Sequence, residues 1–128
     1  MQRTLVATPK APGAIGPYSQ AIKTDTMVFV SGQLAIDPAS GELVTGDIRL
    51  ETRQALTNLQ AILEAAGSSL AQVVKTTVYI ADMDQFGDIN AAYAEFFKTD
   101  PPARACVEVA RLPKDANVEI EAIALLQS

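Results

Sequence analysis

Apolar and polar residues along this chain follow two different periods, and the switches between them mark the elements. Ala55, Leu56, Leu59, Ile62, Leu63 and Ala66 recur at three- and four-residue steps, the one-sided stripe of an amphipathic helix. Asp47 is placed to cap its first turn, and Glu51 adds an acid near the positive end of the helix dipole. Gly67 stands where a helix commonly ends in a left-handed residue. At about 1.5 Å per residue the helix is roughly 30 Å long, the span of a small domain. A second helix is predicted from about Phe86 to Phe97, with Ile89, Tyr93 and Phe96 or Phe97 on one side, and Pro101-Pro102 ends it.

Elsewhere the period shortens to two or the residues become β-branched. Ser19 to Ala35 holds two short strand candidates around the polar Lys23-Thr24-Asp25-Thr26, a hairpin pattern, and the second, Met27 to Ser31, runs into Gly32-Gln33. Thr8 to Pro17 reads as an irregular arm, and Pro38-Ala39-Ser40-Gly41 as a turn. Val73 to Ile80 is a strand by composition, with Val74, Thr76, Val78 and Ile80 predicted to share a face. Two more strands, Ala103 to Ala110 and Val118 to Leu126, flank the loop Leu112-Pro113-Lys114-Asp115. This order predicts an α+β fold: one domain over residues 1–128, a mixed sheet covered on one face by two helices. No third helix exists for the other sheet face, which carries apolar residues, so self-association is expected.

Period two in the strand from Ala103 sets Arg104, Cys106 and Glu108 on one face and Ala103, Ala105, Val107 and Val109 on the other. The second set, small and apolar, is expected to face the helices. In the last strand Glu119, Glu121, Ile123 and Leu125 oppose Val118, Ile120, Ala122 and Ala124. If the two strands pair as a hairpin, Glu119 lies near the Arg104–Cys106 face, a fixed cation beside a carboxylate. On spacing alone Arg104 reads equally as an ion-pair partner of Glu119 or Glu121. Cys106 reads more readily as a small buried hydrophobe than as a nucleophile. Tyr18, Ser31, Gly32 and Asn90 have ordinary turn, strand-end and helix-surface readings.

Composition narrows the chemistry. The 128 residues include no His, no Trp and a single Cys. His-dependent acid–base chemistry, imidazole metal ligation, Cys-rich zinc sites and intrachain disulfides are thereby excluded. Fifteen acidic against ten basic residues give a formal charge of −5, the wrong balance for binding nucleic acid through its phosphates. No apolar run approaches the roughly 20 residues of a membrane span, Met1 to Lys10 lacks a secretory apolar region, and an unpaired Cys suits a reducing compartment. The expectation is a soluble cytoplasmic protein without membrane or nucleic-acid partners.

Separated segments then point one way. Gly16-Pro17-Tyr18-Ser19-Gln20-Ala21, Ser31-Gly32-Gln33, Asn90 with Tyr93 and Phe96-Phe97, Pro102 to Val109 with Leu112-Pro113, and Val118-Glu119-Ile120-Glu121 closely resemble the Rid/YjgF family. Its members are reactive-intermediate imine deaminases that also carry the names L-PSP endoribonuclease and translation-initiation inhibitor. The resemblance covers essentially the whole chain; Ala105, where Ser is common, and the variable Ser19 are its small departures. It implies a chorismate-mutase-like fold, a homotrimer around a central barrel, and sites in clefts between subunits. Arg104 matches the family arginine that holds the substrate carboxylate, and Glu119 the carboxylate that positions water. Tyr18, Ser31 and Gly32 match pocket residues, Cys106 lines the site, its backbone N–H available as a donor, and Asn90 supports it. Tyr93 is placed to pack nearby. The implied reaction, without metal or cofactor, is hydrolysis of 2-imino or 2-enamine acids such as 2-aminoacrylate to 2-keto acids and ammonia. Competing readings are a regulatory module binding 2-keto acids or related carboxylates, an endoribonuclease or translation inhibitor, and a holdase-type chaperone.

Overall fold

The computed structural model describes residues 2–127. Six strands form one mixed sheet, β1 (Thr4–Val6), β2 (Ala21–Lys23), β3 (Met27–Leu34), β4 (Val73–Ile80), β5 (Ala103–Glu108) and β6 (Val118–Leu125), in the order β1-β2-β3-β6-β4-β5. Helices α1 (Ile48–Ala65) and α2 (Phe86–Ala94) lie on one face. The expected α+β architecture with two helices is therefore observed. β1, which the sequence reading did not find, adds an antiparallel edge to β2. It is three residues long and carries only one buried side chain, Val6, too little for a period to register.

α1 begins and ends where its caps dictate. The Asp47 carboxylate accepts from the Arg49 and Leu50 N–H groups at 2.9 and 3.4 Å, and Gly67 takes φ +86° just past the end. Ala55, Leu56, Leu59, Ile62 and Leu63 are fully buried, packed on Val28, Val30, Val78, Ile120, Ala122 and Ala124 of the sheet. Asn58 is buried in the same stripe, and its side-chain amide donates to the carbonyls of Leu34 and Ile36 at 3.1 and 2.8 Å. That bond ties α1 to the end of β3. α2 is shorter than its apolar spacing predicts, closing at Ala94, although Ile89, Tyr93 and Phe97 all reach the core.

The C-terminal strands correct two expectations. β5 and β6 do not pair. β5 lies parallel to β4, with Thr76 opposite Arg104 and Val78 opposite Cys106, and β6 inserts between β3 and β4, antiparallel to both. A parallel neighbour needs a crossover connection, and α2 is that crossover, so β5 is committed to β4 before the chain reaches β6. The faces of β5 are also the reverse of those expected. One row across the sheet runs Val6, Ala21, Val30, Ala122, Thr76, Arg104, and the helices cover it. Arg104 and Cys106 thus face the helices, and Ala103, Ala105 and Val107 the open side. In β4 a bulge between Val73 and Lys75 turns Val74 outward and puts Val73 in the core beside Thr76, Val78 and Ile80. Leu5, Phe29, Val107 and Leu125 stand exposed on the uncovered face. No helix among the described residues is long and apolar enough to cross a membrane.

Candidate functional site

The residues singled out in the sequence gather in two places, not one. Tyr18, Ser31, Gly32 and Glu119 line a cavity of about 270 Å³ at one end of the sheet. Arg104 and Cys106 lie on the edge strand β5 under α2, which brings Asn90 to Arg104.

A break in β3 builds the first group. Pairing with β6 shifts between Val30 and Gln33, so Ser31 and Gly32 form a bulge that opens the strand over the cavity. Across it, Glu119 at the start of β6 folds its side chain over Gly32: a Cβ at position 32 would lie 2.6 Å from the Glu119 carboxyl carbon. The Ser31 hydroxyl donates to the Ser19 carbonyl at 2.6 Å, and the Tyr18 hydroxyl accepts from the Ile15 N–H at 3.2 Å. The arm carrying Tyr18 is pinned by the buried Gln20. Its oxygen accepts from Thr8 N–H at 2.7 Å, and its amide nitrogen donates to the carbonyls of Thr8, Ala11 and Pro12. Pro12, Ile15, Leu34, Ile36 and Pro113 supply apolar walls. Burial, and secondarily the like charge of Glu121, push the Glu119 carboxyl above its ordinary value.

The second group is built around Arg104. Its guanidinium donates to the Asn90 side-chain oxygen at 2.7 Å and lies 4.8 Å from the Tyr93 ring centre and 5.5 Å from that of Phe86, a cation held by π faces. Tyr93 is fixed in turn by a 2.8 Å bond between its hydroxyl and that of Thr76. Among the described residues no carboxylate lies within salt-bridge distance of Arg104, which corrects the ion-pair reading: Glu119 and Glu121 point to the opposite face. The guanidinium keeps donors free for an anion. Val109 N–H bonds to Ile80 O, so by strand period the N–H of Cys106 points away from β4, to the open edge. The Cys106 thiol is pushed up by burial, with Arg104 opposing in part, which does not favour a thiolate.

Sequence reasoning missed Phe86, which no spacing separated from an ordinary first-turn residue, and Tyr79, whose hydroxyl donates to Glu121 at 2.9 Å. It also missed the apolar cavity walls, which come together only through the arm.

The family model of endoribonuclease L-PSP matches residues 8–126. The chain belongs to this family. The chain is 50% identical over 123 residues to the human 2-iminobutanoate/2-iminopropanoate deaminase, covering 96% of this chain and 90% of that one. Its fold is similar to YyfA of Yersinia pestis, a Rid-family protein (TM-score 0.95, 46% identity, 98% and 100% coverage). It is also similar to Escherichia coli TdcF, a structure with bound serine (TM-score 0.93, 45% identity, 97% and 99% coverage). The sheet with its two helices is thus shared with these two structures over nearly their full length.

Proposed function

We propose that this protein hydrolyses 2-imino acids and their enamine tautomers, such as 2-aminoacrylate, to 2-keto acids and ammonia. The observation that carries the reading is Arg104, a cation held in place by Asn90, Tyr93 and Phe86 with no carboxylate within salt-bridge distance among the described residues. A planar guanidinium with free donors suits a substrate carboxylate bidentately, and the outward N–H of Cys106 supplies a further donor beside it. The activity named for the human relative takes substrates with that carboxylate, and serine, bound in the TdcF structure, has one.

Arg104 and Glu119 lie on opposite faces of one sheet with β4 between their strands. A small substrate cannot touch both within one protomer. The reading therefore includes a homotrimer of chorismate-mutase-like subunits whose uncovered sheet faces meet in a central barrel. Each cleft then takes the Arg104 edge from one subunit and the Tyr18–Ser31–Gly32–Glu119 cavity from the next. The exposed Phe29, Val107 and Leu125 are the kind of surface such a contact removes from water.

In that cleft Arg104 fixes the carboxylate and so the orientation of the C=N bond. Protonation of the imine nitrogen makes the carbon electrophilic. Glu119 orients a water on that carbon and takes its proton as the C–O bond forms. Collapse of the resulting amino alcohol breaks the C–N bond, and ammonia leaves with the 2-keto acid.

The test is a coupled assay in which several 2-imino acids are generated from their amino acids with and without the protein, beside light scattering. Accelerated keto-acid formation by a species of three chain masses is expected. A stable monomer, or 2-keto acid binding without acceleration, would overturn the reading, the latter in favour of a regulatory module.

A further inference from the structure

We infer that Glu121, held by the hydroxyl of Tyr79, is a positioning residue that keeps a proton on Glu119 in the resting site, so that Glu119 acts first as an acid and then as a base. The inference rests on the assignment of Glu119 to the reaction made above.

The geometry is a three-residue arrangement on the uncovered face. Glu119 and Glu121 are two apart on β6 and share that face. Tyr79 stands directly opposite Glu119 on β4, yet its hydroxyl reaches diagonally to Glu121 at 2.9 Å. The phenol thus fixes a second carboxylate beside the first without offering Glu119 a donor of its own. Among the described residues no basic side chain lies within salt-bridge distance of Glu119. Around it β3 contributes Gly32 and Leu34, the arm Tyr18, and the loop before β6 Pro113, with Lys114 next in the chain. On the same face β4 carries Lys75, opposite Ile123. Arg111 and Asp115, which flank that loop, pair with each other. Two carboxylates on one half-buried surface, with no cation within salt-bridge distance of either in the protomer, favour retention of a proton, and in the proposed trimer Arg104 of the neighbouring subunit is the charge that opposes them. Burial, and secondarily Glu121, raise the Glu119 carboxyl, and the Tyr79 phenol is raised chiefly by its bond to Glu121.

The proton has a use. Imine hydrolysis needs one delivered to nitrogen before water attacks and one removed from the water as the C–O bond forms. A Glu119 that starts protonated gives its proton to the imine nitrogen, becomes a carboxylate, and then takes the proton of the attacking water. It ends the addition as it began, then gives its proton to the amine nitrogen and takes back the hydroxyl proton as the C–N bond breaks and the C=O bond forms, so that one water enters and one ammonia leaves.

The experiment follows the ¹³C carboxyl resonances of glutamate-labelled protein against pH, with Glu119 assigned by its loss in Glu119→Gln. Beside it runs the pH dependence of catalysed over uncatalysed hydrolysis. Glu121→Gln keeps the shape and an acceptor for Tyr79. It is expected to lower the Glu119 midpoint and to bring the fall of activity with rising pH to a correspondingly lower pH, while 2-keto acid affinity stays within about twofold. Tyr79→Phe, which frees Glu121 to turn toward water, is expected to place the midpoint between parent and Glu121→Gln. An unmoved Glu119 midpoint in Glu121→Gln overturns the inference and leaves the proposed function standing. A moved midpoint, with Glu119→Gln hydrolysing imines at the parent rate, overturns instead the assignment of Glu119 on which the inference rests.

Discussion

The Glu119 side chain occupies the space that any side chain at Gly32 would need. A Cβ there would sit 2.6 Å from the Glu119 carboxyl carbon and 2.9 Å from its Cγ, inside the limit that real contacts respect. Gly32 is not required by its backbone dihedrals, since it is absent from the positive-φ residues. It is required by the approach of Glu119.

Gly32→Ala should therefore fold and lose function. The obstructing atoms belong to the end of a flexible side chain, which can swing aside at small cost in stability, but the carboxyl then leaves its place. A misplacement of about 1 Å is enough to cost on the order of a hundredfold in rate. The expected result is an unchanged melting temperature within a few degrees with imine hydrolysis down ten- to a hundredfold, on that same scale. Full activity would mean that the Glu119 position is immaterial.

The division of the candidate residues between two faces predicts complementation between inactive variants. Arg104→Ala removes the cation and should abolish acceleration and weaken 2-keto acid binding, with Arg104→Lys a partial rescue because Lys offers a mobile point charge in place of a fork. Glu119→Gln should lower turnover while 2-keto acid binding persists. When the two variants assemble at random from an equal mixture, a head-to-tail cleft made by two neighbours is intact in about a quarter of all clefts. Activity in co-expressed mixed trimers, absent from either pure variant, is the expected outcome. No recovery would show that both residues act within one protomer or that neither is needed.

Much of this arrangement was legible in the sequence, and the failures have one physical source. The α1 stripe, its Asp47 cap and its Gly67 stop are local signals, and each was found where it was expected. Strand faces were a matter of period two, which correctly separated Glu119 and Glu121 from Val118 and Ile120. Which face meets the helices is a tertiary fact. Ala103, Ala105 and Val107 look like core because they are small and apolar, yet they are exposed in the protomer. Arg104 looks like surface because it is charged, yet its stem and guanidinium lie against Phe86 and Tyr93, as long cationic side chains do on aromatic rings. The hairpin expectation for β5 and β6 failed likewise, because adjacency in sequence could not show β6 entering between β3 and β4.

Cys106 should prove dispensable as a nucleophile. Its thiol is partly buried at the core margin, burial raises it, and the nearby Arg104 only partly offsets that. What it can offer a ligand is its backbone N–H, which every residue except proline keeps. Cys106→Ala and Cys106→Ser should retain activity within a fewfold of the parent and resist inactivation by thiol-alkylating reagents. A loss as deep as that of Arg104→Ala, with assembly intact, would make the thiol a participant.

Away from the site, Glu51 gives the fold a pH dependence of definite sign. Only 2% of its surface is exposed, in the first turn of α1, and it accepts from the Asn117 side-chain nitrogen at 2.9 Å, tying that helix to the residue before β6. Burial raises its carboxyl from the ordinary value, with the Asn117 bond opposing in part. The folded state therefore holds the Glu51 proton more tightly than the unfolded chain does. Where the native state binds more protons, stability falls as pH rises. The contribution is fully present below the ordinary carboxylate range and is lost as pH climbs from there through the raised folded value. Glu51→Gln keeps an acceptor oxygen for Asn117 and cannot ionise, so it escapes that loss. The melting temperature of Glu51→Gln minus that of the parent should thus be more positive at pH 7 than at pH 4, measured in the same ionic strength. A difference that is flat in pH would show that Glu51 titrates alike in the folded and unfolded chains, and one that falls with pH would reverse the sign argued for its burial.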